Sequence, residues 1–210
     1  VCSTTTDGIS LAKVGGFAWL EMFTDLFTAA NYATLNFFTV AAVVLIGLEL
    51  GLKNGIKGFM PGVVSLCCFV ACLSTNIVAT VGEETVTVAG LAKDYTAARG
   101  LFLGMIVALV SVELFTVLRK SELLKIHMPD SVPPNVTNSF NNLFPFMLTV
   151  IICAAINFTA VQVIGLSLYD IIYAFVQEPL QAVVQGLPGV MLLMFVAQIF
   201  WCVGIHGNQI

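Results

Sequence analysis

The sequence predicts an all-α membrane protein with about five transmembrane helices, two interfacial or amphipathic helices and a short extracytoplasmic β-hairpin. Composition is the first reason. Mean hydropathy is +0.99, and 59% of the 210 residues are hydrophobic against 10% charged, less than half the charged share of an ordinary soluble domain. The second is segment length, because five stretches meet or approach the roughly 20 apolar residues that a membrane crossing needs. Third, the basic residues divide unevenly between the loops that would join those stretches.

Taken in chain order, 15–31 (GGFAWLEMFTDLFTAAN) mixes apolar residues with Glu21 and Asp25, a pattern suited to lying along the membrane surface or against partner helices. Spans are expected at 33–53 and 57–80. The linker after them, GEETVTVAGLAKDYTAARG, alternates β-branched and polar residues from Glu84 to Val88 between glycines, which predicts a short strand or hairpin. A third span is expected at 97–118. In HMPDSVPPNVTNSF (127–140), Pro129, Pro133 and Pro134 forbid a continuous helix, and Asn135 to Ser139 offer capping groups before a fourth span at 140–164. Residues 167–185 again mix apolar residues with Asp170, Glu178 and glutamines, and Pro179 should bend or break the helix they form. The fifth span is expected at 187–205.

If every span crosses, Lys53, Lys57, Arg119, Lys120 and Lys125 share one side, and Lys13, Lys93 and Arg99 the other. That bias of five to three assigns the 119–135 loop to the cytoplasm. The net charge of −4 and the scattered basic residues exclude a nucleic-acid partner. Cys2, Cys67, Cys68, Cys72, Cys153 and Cys202 form no C-x-x-C pair, and packing is the favoured role for the five in apolar stretches. Cys68 and Cys72 lie one helical turn apart, but no His, Asp or Glu is near them in sequence, so no metal is expected. No nucleophile–base pair or phosphate-binding glycine loop appears, and no cofactor is expected. The residues show no signal peptide, and the abrupt end at Ile210 suggests a longer protein.

The most informative polar residues close the sequence, in FWCVGIHGNQI. His206, flanked by Gly204 and Gly207, is either a satisfied polar residue near a helix end or part of a site. An ionisable group at membrane depth costs about 2.5 kcal/mol or more when charged, so it calls for a polar cavity or a partner. Trp201 suits the interfacial aromatic belt or a stacking platform for a sugar ring. Asn208 and Gln209 can each donate and accept hydrogen bonds. Asn36, Thr75, Asn76, Glu113 and Asn157 could line a path, although hydrogen bonding between helices explains most such residues. For Glu49 and Glu113, pairing with Lys53 and Arg119 is the simpler account.

Two motifs, MPDSVPPNVTNSF and the terminal GIHG turn, occur in order between expected spans. With them, YTAARGLFLGMIVALVSVELFTVLRKSELLKIHMPDSVPPNVTNSFNNLFPF followed by WCVGIHGNQI resembles the membrane-spanning sugar component, IIC, of the phosphoenolpyruvate-dependent phosphotransferase system. Within that family it is similar to the lactose, cellobiose and diacetylchitobiose branch, from about residue 33 to the end. The resemblance implies that residues 1–210 are the N-terminal part of a transport domain whose C-terminal half is absent. One more helix would precede the first span found here. His206 then occupies the family's sugar-binding position, with Trp201 stacking, Gly207 allowing close backbone approach, and Asn208 and Gln209 as further contacts. His206 would orient the hydroxyl to be phosphorylated or act as its base, partnered by a glutamate of the missing half.

The resemblance further implies a sugar substrate, a phosphorylated cytoplasmic IIB partner, membrane lipid, a homodimer and the bacterial inner membrane, crossed several times. The protein would be the transport subunit of a phosphotransferase complex, with no phosphoenzyme residue of its own. Two alternatives remain at this stage: an ion-coupled secondary transporter, which also uses broken helices, and a non-transporting membrane scaffold.

Overall fold

A computed structural model describes residues 22–81, 84–125, 134–179, 181 and 186–202. Contacts divide the chain into two units, Val1–Tyr169 and Asp170–Ile210. In order, the first holds α1 (Thr24–Thr34), α2 (Phe38–Lys53), α3 (Met60–Ala71), β1 (Asn76–Val81), β2 (Glu84–Ala89), α4 (Lys93–Thr96), α5 (Leu101–Lys120), α6 (Pro134–Ile164) and the start of α7 (Leu168–Ile172). A five-residue π turn over Tyr173–Gln177 follows, then α8 (Leu187–Cys202).

The core is a bundle in which α2, α3 and α5 touch one another and α6 packs on α3 and α5. Its centre is made of Val43, Val64, Cys68, Phe69, Leu103, Val112 and Phe115, all essentially buried. Gly47 and Gly51, one turn apart on α2, let α3 come close. Added Cβ atoms there would lie 2.2 Å from Ser65 Oγ and 2.3 Å from Pro61 Cγ. This small-x-x-x-small spacing brings two backbones together where apolar burial alone does not drive helices to associate. Ser65 is fully buried, and its hydroxyl lies 3.0 Å from the Val43 carbonyl and 2.9 Å from that of Gly62. At the far end Thr39 Oγ1 donates to the Ala97 carbonyl at 2.6 Å and ties α2 to the segment entering α5.

Three helical stretches among the described residues are long and apolar enough to cross a membrane: Thr24–Lys53, Ala98–Lys120 and Phe140–Ile164. They coincide with three of the five expected spans. The span expected at 57–80 is corrected. Its helix stops at Ala71, about 18 Å long at the α-helical rise, and the chain turns into β1 at Asn76. The run NIVATV is as apolar as a helix, but it pairs antiparallel with β2, Ile77 opposite Val88 and Thr80 opposite Thr85. The expected hairpin is therefore present and starts earlier than its alternating half suggested. Helix α8 covers most of the fifth expected span, and 203–205 lie outside the described residues.

Segment 15–31 is described only from Met22. There α1 exposes every described face and runs into α2 through a short turn, so the two predicted elements form one nearly continuous stretch. The start of α6 is also corrected. The helix begins at Pro134, so Asn135–Ser139 lie inside its first turns and do not cap it. Proline has its φ preset for a helix and lacks only an N–H that the first turn leaves unused, which makes it a good first residue. On α6, Pro145, Thr149 and Cys153 form one buried stripe against the bundle. The Cys153 carbonyl accepts from Cys72 Sγ at 3.8 Å, near the end of α3. Thus α6 outruns α3 by three turns, and beyond Cys153 it exposes Ile156, Phe158, Val161, Val163 and Ile164.

In the second unit the π turn ends two residues before Pro179, which has no N–H for the Phe175 carbonyl four residues back. A widened turn is one way a helix absorbs that loss, and where a bend or break is expected the helix continues through Glu178 and Pro179.

Candidate functional site

The expected sugar contacts sit at or beyond the last described residues. Trp201 is the penultimate residue of α8. His206, Gly207, Asn208 and Gln209 lie outside the described residues. The other polar candidates are described and do not converge. Asn36 is buried in the turn between α1 and α2. The Thr75 carbonyl accepts from Gly90 N at 2.8 Å, and Asn76 opens β1. Asn157 Oδ1 accepts the Leu168 amide at 3.1 Å, which fixes the turn between α6 and α7.

Polar side chains do gather at the other end of the bundle. The peptide after α2 closes with Ile56 N donating to the Gly51 carbonyl and Gly55 N to that of Leu52. Gly55, at φ 77°, supplies the left-handed residue this double cap needs. The cap seats Ile56, 3% exposed, and places Asn54 against α5. Asn54 Nδ2 donates to Glu113 Oε1 at 2.9 Å and lies 3.3 Å from Thr116 Oγ1. Thr116 Oγ1 in turn donates to the Val112 carbonyl at 2.7 Å. Arg119 Nε donates to Asn142 Oδ1 at 2.8 Å and joins α5 to α6. Lys125 pairs with Glu122. Asn54, Ile56, Thr116, Arg119, Lys120, Lys125 and Asn141 line a half-open cavity of about 310 Å³.

The pairing of Glu113 with Arg119 is thereby corrected: Glu113 holds Asn54, and Arg119 holds Asn142. Among the described residues no ion pair joins Glu49 to Lys53, although both line one open groove with Leu109. Sequence reading missed the Asn54 cluster because its members are 59 and 62 residues apart. The only local signal was the N-G pair that ends α2.

Elsewhere, an open groove of about 710 Å³ runs along α1 between Asp25, Thr28, Ala29, Tyr32, Ala33 and Phe37. Its walls carry little polar chemistry. Cys68, Cys72 and Cys153 are buried, and no group of three His, Cys, Asp or Glu suited to a metal occurs among the described residues.

The family described as phosphotransferase system, EIIC, matches residues 3–210. The chain is 30% identical over 201 residues to the oligo-beta-mannoside-specific EIIC component of Bacillus subtilis, covering 95% of this chain and 45% of that one. It is 25% identical to the cellobiose-specific EIIC component of Geobacillus stearothermophilus, with 95% and 44% covered. Against the lactose-specific EIICB component of Streptococcus mutans it is 31% identical over 121 residues, 58% of this chain and 21% of that one. Among solved structures it is similar to the transporter ChbC, the IIC component of an N,N'-diacetylchitobiose-specific system. There the TM-score is 0.77 at 26% identity, with 94% of this chain and 48% of that one covered. The chain spans about half the length of these EIIC relatives.

Proposed function

The chain belongs to the EIIC family of the phosphotransferase system, and from that premise we propose that it is part of a sugar-translocating membrane component that binds a β-linked disaccharide and presents it to IIB for phosphorylation. The observation that carries this reading is the family match across residues 3–210. It is supported by relatives named for oligo-β-mannoside, cellobiose, lactose and diacetylchitobiose, and by EIICB components that, by name, join both functions in one chain. The three apolar helices fit a protein of the bacterial inner membrane that crosses it several times.

In this reading His206, Trp201, Gly207, Asn208 and Gln209 form one wall of the sugar pocket. A neutral imidazole donates from one nitrogen and accepts at the other, which matches a hydroxyl that does both. It orients the hydroxyl that receives the phosphoryl group, while the indole face stacks on the C–H face of the sugar. The second wall, with a carboxylate partner for His206, comes from chain beyond residue 210. The protein acts as a homodimer, to which 167–185 contributes a contact.

The test has two parts. Cells carrying the complete transporter should accumulate sugar phosphate in a phosphoenolpyruvate-dependent manner; uptake of unmodified sugar without the phosphotransferase proteins refutes the reading. In the purified transporter, His206→Ala and Trp201→Ala should each weaken equilibrium sugar binding at least tenfold. Unchanged affinity removes the residue from the pocket.

A further inference from the structure

We propose that the cavity between Asn54, Thr116, Arg119, Lys120, Lys125 and Asn141 binds a phosphate oxyanion, supplied by the headgroup of an anionic phospholipid. The inference is independent of the sugar pocket and of the residues assigned to it.

Depth is the first argument. The three membrane-length stretches are Thr24–Lys53, Ala98–Lys120 and Phe140–Ile164. Asn54 follows the last residue of the first, Lys120 ends the second, and Asn141 is the second residue of the third. One cavity therefore touches an end of all three stretches. Ends of apolar spans lie at the height of lipid headgroups, where phosphate is the abundant anion.

Charge is the second. Three cations line the cavity, and no carboxylate does. Glu122 pairs with Lys125, so Arg119 and Lys120 supply the uncompensated positive charge, and Glu113 is held by the Asn54 amide. Lys53 and Lys57 flank Asn54 and Ile56, so five of the eight basic residues collect at this end. The C-terminal dipole of α5 favours cations in its last turn and accounts for Arg119 and Lys120 alone. It does not account for the Asn54 and Asn141 amides that line the same space.

Geometry is the third. Arg119 is oriented by Nε donating to Asn142, which leaves its two terminal nitrogens without a partner among the described residues. A guanidinium fixed in this way presents paired N–H groups to a tetrahedral oxyanion, while Lys120 adds a mobile point charge. About 310 Å³ is ample for a phosphate with part of a glycerol and too small for a folded partner. A basic pocket between transmembrane helices is a known physical solution for holding lipid headgroups.

The test uses the purified protein in nanodiscs of phosphatidylcholine with graded phosphatidylglycerol, with retained lipid read by native mass spectrometry. The wild type should retain phosphatidylglycerol selectively. Lys120 is exposed, so Lys120→Gln should fold normally and weaken retention about fivefold, and Arg119→Gln with Lys120→Gln about 25-fold, at the usual gain per basic residue near a membrane surface. Should the double variant elute as aggregate, Lys120→Gln alone decides. Lys53→Gln with Lys57→Gln, at the same end but outside the cavity, should lower retention clearly less than Arg119→Gln with Lys120→Gln. Equal losses in both pairs would reduce the effect to general surface charge and overturn the site. Unchanged retention in Lys120→Gln overturns it too. Displacement of phosphatidylglycerol by millimolar inorganic phosphate at constant ionic strength would show that the cavity takes soluble phosphate, and overturn the lipid assignment.

Discussion

Replacing Gly47 with alanine tests the closest approach in the bundle, because the sign of the effect separates two readings. On an open helix face, glycine to alanine stabilises by about 0.5–1 kcal/mol through backbone entropy. At Gly47 the new methyl would stand 2.2 Å from Ser65 Oγ, 2.8 Å from Ser65 Cβ and 2.9 Å from the Pro61 carbonyl oxygen. Unbonded heavy atoms prefer about 3.5 Å or more, so α3 must retreat by roughly 1 Å. Overpacking of this kind costs about 1–3 kcal/mol. After the entropy gain is subtracted, Gly47→Ala should destabilise by about 0.5–2 kcal/mol. At about 2–4 °C per kcal/mol for a chain of this size, the melting temperature in detergent should fall by about 1–8 °C, read from the surviving monodisperse fraction after heating. Adding Ser65→Gly removes two of the three close contacts, so the alanine should cost less in that background. A raised melting temperature for Gly47→Ala, or strict additivity with Ser65→Gly, would refute the packing described between α2 and α3.

Two further outcomes follow from buried groups. Thr39→Val keeps the shape but leaves the Ala97 carbonyl without its donor, and in the same heating assay should cost about 1–3 kcal/mol, the usual penalty for an orphaned buried acceptor; no change would mean water replaces the hydroxyl. Peptide-resolved alkylation in detergent should modify Cys67 well before Cys68, Cys72 and Cys153, which are 0%, 2% and 5% exposed, and equal rates would contradict the packing of α3 on α6.

Hydropathy made the three long apolar helices legible, since length and composition alone specify a membrane-length helix. It failed at 57–80 for a physical reason. NIVATV is β-branched and apolar, and only pairing with Glu84–Ala89 tells a strand from the end of a span. Pro134 was read as a breaker because proline disrupts helix interiors, yet as a first residue it initiates α6. The Asn54–Glu113 and Arg119–Asn142 pairs could not be read locally, since each joins helices whose order in space follows from packing. His206 and its neighbours were legible as chemistry through their spacing and family resemblance, while their geometry lies outside the described residues.

The stripe Pro145, Thr149 and Cys153 ends where α3 ends, and α6 continues for three more turns. In mutational terms α6 is therefore two helices joined end to end. Before Cys153, a change of one methylene on the stripe is felt by the two helices it packs on, α3 and α5, and even conservative replacements should be selected against. Beyond it, Phe158 and Val163 are exposed among the described residues, and within this chain apolar side chains of varied volume should serve. A saturation library along α6 should show tolerance switching from shape to mere hydrophobicity within a single turn.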